Sequence, residues 1–224
     1  MTDSVLVIGA GGHARVTADA LLASGSKVAG FIDADPKLHG TVILGIPVLG
    51  GDEVLSEPQF ADNALVNGIG GAGDQRRPSL RRQVQERLEA LGRRFVGTRH
   101  PMALVSPFAI VDGTAQLFAA SVVQSGAQIG KGAIVNTGAI VEHDSYVGDF
   151  THCAPGSVVC GDVRIDENSH IGAGAVVRQG IHLAGGAIVG AGRRIDLREA
   201  VQNGHERLAI ARLAADEKRA DPCR

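Results

Sequence analysis

Every sixth residue from Val111 to Ile195 is a branched aliphatic or, once, a cysteine. The series is Val111, Leu117, Val123, Ile129, Val135, Val141, Val147, Cys153, Val159, Ile165, Ile171, Val177, Leu183, Val189 and Ile195. Two residues before each stands a second track of small side chains, Ala109, Ala115, Ser121, Ala127, Ala133, Ala139, Ser145, Thr151, Ser157, Ser169, Ala175 and Ala187, which Val163 and Ile181 break. A helix repeats every ~3.6 residues and a strand every two, and neither restricts two slots at a period of six. The pattern is that of a hexapeptide-repeat parallel β-helix. Three hexads close one triangular coil. The aliphatic residue points into the prism and stacks on its counterparts one coil away, about 4.8 Å along the axis. The small residue fits the tight corner. Each coil buries its faces only against its neighbours, so the stack needs caps at its ends. Gly126, Gly130, Gly132, Gly138, Gly148 and Gly156 fall near corners, where positive φ is expected.

The N-terminal third has a different pattern. Val5-Leu6-Val7-Ile8 reads as a short buried strand that runs into Gly9-Ala10-Gly11-Gly12-His13-Ala14 and then an apolar-periodic helix over 15–23. Val28-Ala29-Gly30-Phe31-Ile32 predicts a second strand ending at Asp33, and Ala64-Leu65-Val66 begins a third that reaches Ile69-Gly70. Residues 79–91 predict a charged amphipathic helix. This β-loop-α-β order predicts a small Rossmann-like α/β domain with a parallel sheet flanked by helices. Pro101 and Pro107 lie in the bridge to the repeats, which places the domain boundary near residue 100. The chain divides into an α/β domain over 1–100, a β-helix over 101–195 and a tail over 196–224, with a helix expected over 199–218.

Composition narrows the function classes. The chain has 224 residues, 44% hydrophobic, with formal net charge −2, enough material for one large or two small domains. No apolar run is long enough for a membrane span and no signal-peptide pattern is visible, so the cytoplasm is the expected compartment. Cys153, Cys160 and Cys223 are an odd, sparse set that suggests neither a disulfide framework nor a paired-cysteine zinc site. Balanced charge and 3% aromatics without Trp argue against a nucleic-acid surface.

Two segments carry candidate chemistry. Gly9, Gly11 and Ala14 fit a G-x-G-x-x-G/A fingerprint with Asp33 at about the right distance beyond it. The loop opens a helix whose N–H groups suit a phosphate. A plain strand-to-helix turn is the alternative. About 100 residues are too few for a full dinucleotide fold, so a nucleotide or nucleotide-sugar diphosphate is the more economical ligand, with His13 pointing toward it. The second segment is Asn136-Thr137-Gly138-Ala139-Ile140-Val141-Glu142-His143-Asp144. His143 stands two residues after the inward Val141 and so points away from the core. An outward His with Asp144 or Glu142 to orient its ring is a candidate general base. His152 and His170 share an outward phase one coil apart. His170 and His182 are read as surface residues.

At these residues the chain resembles the hexapeptide-repeat acyltransferases that acetylate sialic acids and nucleotide-linked amino sugars in bacterial glycan synthesis. The resemblance is carried by Val5-Leu6-Val7-Ile8-Gly9-Ala10-Gly11-Gly12-His13, by Phe31-Ile32-Asp33, by H-P-x-A-x-V-S-P from His100, and by the long segment from Asn136 through His143, Asp144 and His152 to Gly156. It spans nearly the whole chain apart from the tail. The resemblance implies a left-handed β-helix, against the usual crossover hand, and a homotrimer with active sites between prisms. It implies acetyl-CoA as donor and a sugar amine or hydroxyl as acceptor, with no metal. It makes His143 the catalytic base and Asp144 its orienting carboxylate, where many relatives carry Glu. It assigns His152 to the acetyl or pantetheine end, and Gly161, Ala173 and Ala191 to the CoA arm. Gly11, Gly12, His13, Asp33 and Asn136 fall to the acceptor.

There are departures and rivals. Relatives often end the last coil with a G-x-P-A-K-type segment, where this chain reads Gly190-Ala191-Gly192-Arg193-Arg194. The basic, glycine-rich stretch 70–77 is either an acceptor-binding loop or a flexible one. A β-helix carbonic anhydrase needs three histidines converging on zinc, and the spacings of His143, His152 and His170 supply no convincing third partner. A non-catalytic trimeric nucleotide-binding regulator is the non-enzyme alternative. An NAD-dependent oxidoreductase rests on the glycine loop alone and leaves the repeats unexplained. Cys153 occupies an inward slot and Cys160 lacks a base, so direct transfer without an acyl-enzyme is expected.

Overall fold

The computed structural model describes residues 4–71 and 79–196. The helix expected over 199–218, Cys223 and most of the 70–77 stretch lie outside the described residues.

The N-terminal sheet holds five strands where the sequence pattern gives three. They are β1 (Val5–Ile8), β2 (Val28–Ile32), β3 (Val42–Ile43), β4 (Ile46–Gly50) and β5 (Ala64–Asn67), in the order β3-β4-β2-β1-β5. All neighbours are parallel except the β3–β4 hairpin. That hairpin turns at Leu44 and Gly45, both at positive φ. A two-residue turn of this hand normally announces itself as Asn-Gly or Asp-Gly, and Leu-Gly gives no such signal. β1 lies between β2 and β5 and is buried at all four positions, because its alternate residues feed different cores. Val5 and Val7 pack with Ala14, Ala18 and Phe31, while Leu6 and Ile8 pack with Ile32, Leu65 and Leu88. Helix α1 (Gly12–Ala23) follows β1, with Gly11 at its N-cap. Helix α2 (Leu80–Ala90) starts behind Ser79, whose hydroxyl accepts the Arg82 N–H.

The rest is a parallel β-helix of two-residue rungs on sheets of six, five and six strands. One face, aliphatic on its outside up to Val176, carries Leu104–Val105, Val122–Val123, Ile140–Val141, Val158–Val159, Val176–Val177 and Arg194–Ile195. A mixed face runs from Ile110–Val111 through Tyr146–Val147 to His182–Leu183. The third, docked face runs from Thr98–Arg99 through Gln116–Leu117, Ile134–Val135 and His152–Cys153 to Ile188–Val189. Two rungs therefore precede Val111. The second keeps the aliphatic period, with Val105 six residues before Val111, and the first breaks it, with Arg99 in the inward slot where the end of the prism leaves it exposed. Elsewhere the inward column is sealed: Val123, Val135, Val141, Val147, Cys153, Val159, Ile165, Ile171 and Val177 are all 0% exposed. Each such side chain contributes roughly 1.5–3 kcal/mol relative to an exposed one.

The small track works as expected, with a detail that phase alone does not give. The Ser145 hydroxyl donates to Cys160 O and accepts the Val163 N–H, and Thr151 does the same with Asp166 O and the Ser169 N–H. Buried hydroxyls at the corners thus tie successive coils together. Gly130 and Gly148 are not at positive φ. They are glycine because a Cβ would stand 2.5 Å from Asp149 Oδ1 and 2.6 Å from Glu167 N respectively.

The α/β sheet sits on the lower part of the docked face. Gln116 donates to Asn67 O across the junction, Ala20 packs with Phe118 and Ile134, and Arg82 pairs with Glu167 at 2.9 Å.

Candidate active site

His143 stands at the corner that follows the aliphatic face. Its backbone O accepts the Asp162 N–H from the next coil, and the Asp144 N–H donates to Ser125 O in the coil before. Asp144 has φ 60, the left-handed region that Asp tolerates better than most residues. That backbone turn brings its carboxylate beside the ring: His143 Nδ1 to Asp144 Oδ2 is 2.9 Å. The His143 side chain is 55% exposed. The hydrogen bond to Asp144 is the main reason its pKa is raised, and the charges of Asp144, Glu142 and Asp162 act in the same direction. With Nδ1 on Asp144, Nε2 is the atom left to accept a proton. The backbone of Gly161 lies against it, such that a Cβ there would meet Nε2 at 2.4 Å.

A second group lies between the α/β sheet and the docked face. His13 Nε2 is 2.9 Å from Gln116 Oε1, and its ring meets Phe118 edge-on at 5.3 Å. The ring of His152 is 6.4 Å from that of His13 and 5.1 Å from that of His170. Asn136 fixes how His152 is protonated. The Thr137 N–H donates to Asn136 Oδ1 at 2.8 Å, which leaves Asn136 Nδ2 facing His152 Nε2 at 3.0 Å. Nδ2 can only donate, so His152 Nε2 accepts and the ring proton sits on Nδ1, beside the Gly71 backbone. The ring stays neutral because burial, with His170, Arg81 and His13 near it, pushes its pKa down to about 3. Burial lowers His13 and His170 as well. His170, read from phase as a surface residue, instead has its Nδ1 buried and its ring set edge-on against His152.

The structure sorts the remaining sequence candidates. Gly11 and Gly12 are exposed, and among the described residues no atom lies within 4 Å of a Cβ at either. Asp33 spends its carboxylate at home: Oδ2 accepts the Ala10 N–H at 2.6 Å and Oδ1 the Asp35 N–H at 2.9 Å. It shapes the glycine loop. Gly161, Ala173 and Ala191 do not form one line. Gly161 is on the His143 corner, whereas Ala173 and Ala191 are exposed on the corner that carries Asn136, with Ala173 O accepting the Gly192 N–H. The thiol of the fully buried Cys153 is pushed up to about 12 by desolvation, which suits packing and not attack. Gln116, Phe118 and Arg81 carry no sequence signal for a site. Arg81 is 2% exposed, its guanidinium is 5.6 Å from the Phe150 ring centroid, and burial pushes its pKa down to about 9. Among the described residues no group of three or more His, Cys, Asp or Glu side chains converges as a metal site requires.

Residues 4–88 match the PglD N-terminal domain family. Among solved structures, the chain is similar to PerB from Caulobacter crescentus, determined in complex with CoA and GDP-perosamine. Identity is 35% and the TM-score 0.77, over 86% of this chain and 88% of that one. It is also similar to the acetyltransferase domain of PglB from Neisseria gonorrhoeae FA1090, at 36% identity and TM-score 0.76 over 87% and 91%. WeeI from Acinetobacter baumannii AYE matches at 26% identity and TM-score 0.75 over 86% and 91%. The shared β-helix is left-handed. With the repeat architecture, the glycine loop and these relatives in agreement over most of its length, the chain belongs to the hexapeptide-repeat nucleotide-sugar N-acetyltransferases.

Proposed function

We propose that this protein transfers the acetyl group of acetyl-CoA to the amine of a nucleotide-linked amino sugar, with His143 as general base. The observation that carries the reading is the His143–Asp144 pair, with Nδ1 held and Nε2 open beside Gly161. In the reaction His143 Nε2 takes a proton from the acceptor amine as its nitrogen attacks the thioester carbon. The C–N bond forms, the C–S bond breaks, and the thiolate leaves with the proton that His143 returns. A backbone N–H beside the carbonyl, with Gly161 the nearest candidate, stabilises the oxyanion. The glycine loop at Gly11 and Gly12 and the open N-terminus of α1 hold the acceptor's phosphates. His13 and Asn136 border the sugar, and His152 stands behind Asn136, accepting its Nδ2–H, toward the acetyl end. Ala173 and Ala191 border the CoA arm. Binding energy from the α/β domain positions the reacting amine. The described residues include no helix long and apolar enough to cross a membrane, and a cytoplasmic location is part of the proposal.

The pH dependence tests this assignment. A base must be unprotonated, so kcat is expected to fall as pH drops through a His143 pKa that Asp144 holds above the ordinary 6.5. Asp144→Asn removes the largest raising contribution. The acid limb of kcat is expected to move to lower pH while the plateau falls. A limb that stays where it is, measured across the same buffers, contradicts the pairing.

The assembly belongs to the same proposal. The outward column Leu104, Val122, Ile140, Val158 and Val176 is aliphatic from coil to coil, and Leu104 is 65% exposed. Such a stripe on a soluble surface marks an interface. It is flanked by the Asn136 corner on one side and the His143 corner on the other. Packing three chains on this face supports a homotrimer in which the His143 corner of one protomer meets the Asn136 corner of the next. Sedimentation is expected to give three times the 23.1 kDa chain mass. Val158→Asp is expected to give single chains without transferase activity. A wild type that sediments as one chain while active overturns the arrangement.

A further inference from the structure

We infer that Gly126 is a positioning residue for acetyl transfer: having no side chain, it leaves the space in which the Asp144 carboxylate stands against His143. The inference rests on the reading of His143 and Asp144 as base and orienting carboxylate. Gly126 lies one coil before Asp144 on the same corner. A Cβ built on it would stand 2.3 Å from Asp144 Oδ1 and 3.3 Å from Cγ. The two cannot coexist, so one of them must move. The backbone at Gly126 is tied, its N–H donating to Phe108 O at 3.2 Å, while the next residue's N–H donates to Gln124 O. The Asp144 side chain is 70% exposed, and its recorded side-chain bond goes to His143. The end of a free side chain gives way before a coil does. A methyl group at 126 therefore swings the carboxylate off Nδ1 and leaves the imidazole free to rotate.

The fold supplies an internal control. Gly126 has φ +74, so alanine there also carries left-handed backbone strain. Gly180 occupies the same corner two coils beyond Asp144, with φ +72, and among the described residues a Cβ there meets nothing within 4 Å. Gly180→Ala thus reproduces the strain without the collision.

The test compares Gly126→Ala, Gly180→Ala, Asp144→Ala and the two glycine variants in the Asp144→Ala background. For each, kcat, the acetyl-CoA KM, the acid limb of kcat and the thermal midpoint are measured on the full chain. Gly126→Ala is expected to lower kcat about tenfold or more below Gly180→Ala, with KM within about twofold, and to move the acid limb to lower pH. In the Asp144→Ala background the two glycine variants are expected to be alike, because the effect runs through the carboxylate. The inference is overturned if Gly126→Ala behaves as Gly180→Ala does, or if its deficit persists without Asp144. It is equally overturned if Gly126→Ala fails to fold where Gly180→Ala folds, since it holds that the carboxylate and not the coil yields. An Asp144→Ala enzyme with wild-type kcat and acid limb sinks the underlying dyad, whereas an impaired Asp144→Ala enzyme beside a silent Gly126→Ala sinks this inference alone.

Discussion

His143→Ala is expected to lower kcat by ~10²–10⁴-fold, the usual contribution of a positioned general base, while leaving acetyl-CoA binding and the thermal midpoint close to wild type. The structure separates these effects. The His143 side chain is more than half exposed and packs into neither core, so its removal opens no cavity. Among the described residues no second imidazole stands at that corner, where its neighbours Glu142, Asp144 and Asp162 are carboxylates. His143→Asn keeps a polar group of similar reach without a basic nitrogen and is expected to be as poor. Steady-state rates at saturating substrates, with calorimetric acetyl-CoA titration of the same preparations, make the comparison. A His143→Ala enzyme within a few-fold of wild type would show that the proton leaves by another route.

Gly161→Ala is expected to be nearly as damaging, by ~10²-fold in kcat, for a steric reason. The added Cβ would stand 2.4 Å from His143 Nε2 and 2.6 Å from Cε1. Unlike Gly126, Gly161 is not in the left-handed region, so alanine there costs no special backbone strain. The imidazole must tip away from the place where the amine and thioester meet. Because Gly161 is also a candidate neighbour of the thioester, the acetyl-CoA KM is expected to rise as well. That rise distinguishes it from Gly126→Ala, whose effect is confined to kcat. Wild-type kcat and KM in Gly161→Ala, at unchanged stability, would mean that the ring works from another position.

The prism was legible because its rule is local and repeated: an inward aliphatic and a corner small residue every six positions identify the coils without any long-range information. At the open end Arg99 breaks that rule and the period is lost there, although Val105 in the next rung still keeps it. The β3–β4 hairpin was hidden for a similar reason, since Leu44 takes a conformation usually signalled by Asn, Asp or Gly. Phase put His143 and His152 both outside the prism, and both are. Phase carries no information about what covers a face, however, so the burial of His152 under the α/β domain and the His170 ring set edge-on against it could not be read. Asp33 was legible as a candidate from spacing, but spacing cannot show that its two oxygens also accept the Ala10 and Asp35 N–H groups. The roles of Gly126 and Gly161 beside the dyad are contacts between coils, one turn of the prism away in sequence, and no linear motif encodes them.

The account's central claim is tested most directly by incubating the protein with acetyl-CoA and a panel of nucleotide-linked amino sugars, sialic acid and its CMP conjugate, and following products by mass spectrometry. The account predicts that one nucleotide-linked amino sugar gains a single acetyl group on nitrogen, with release of free CoA, and that His143→Ala abolishes the product. Tight nucleotide binding with neither acetyl-CoA binding nor acetylated product would contradict it and identify the prism as a scaffold for a nucleotide-binding regulator.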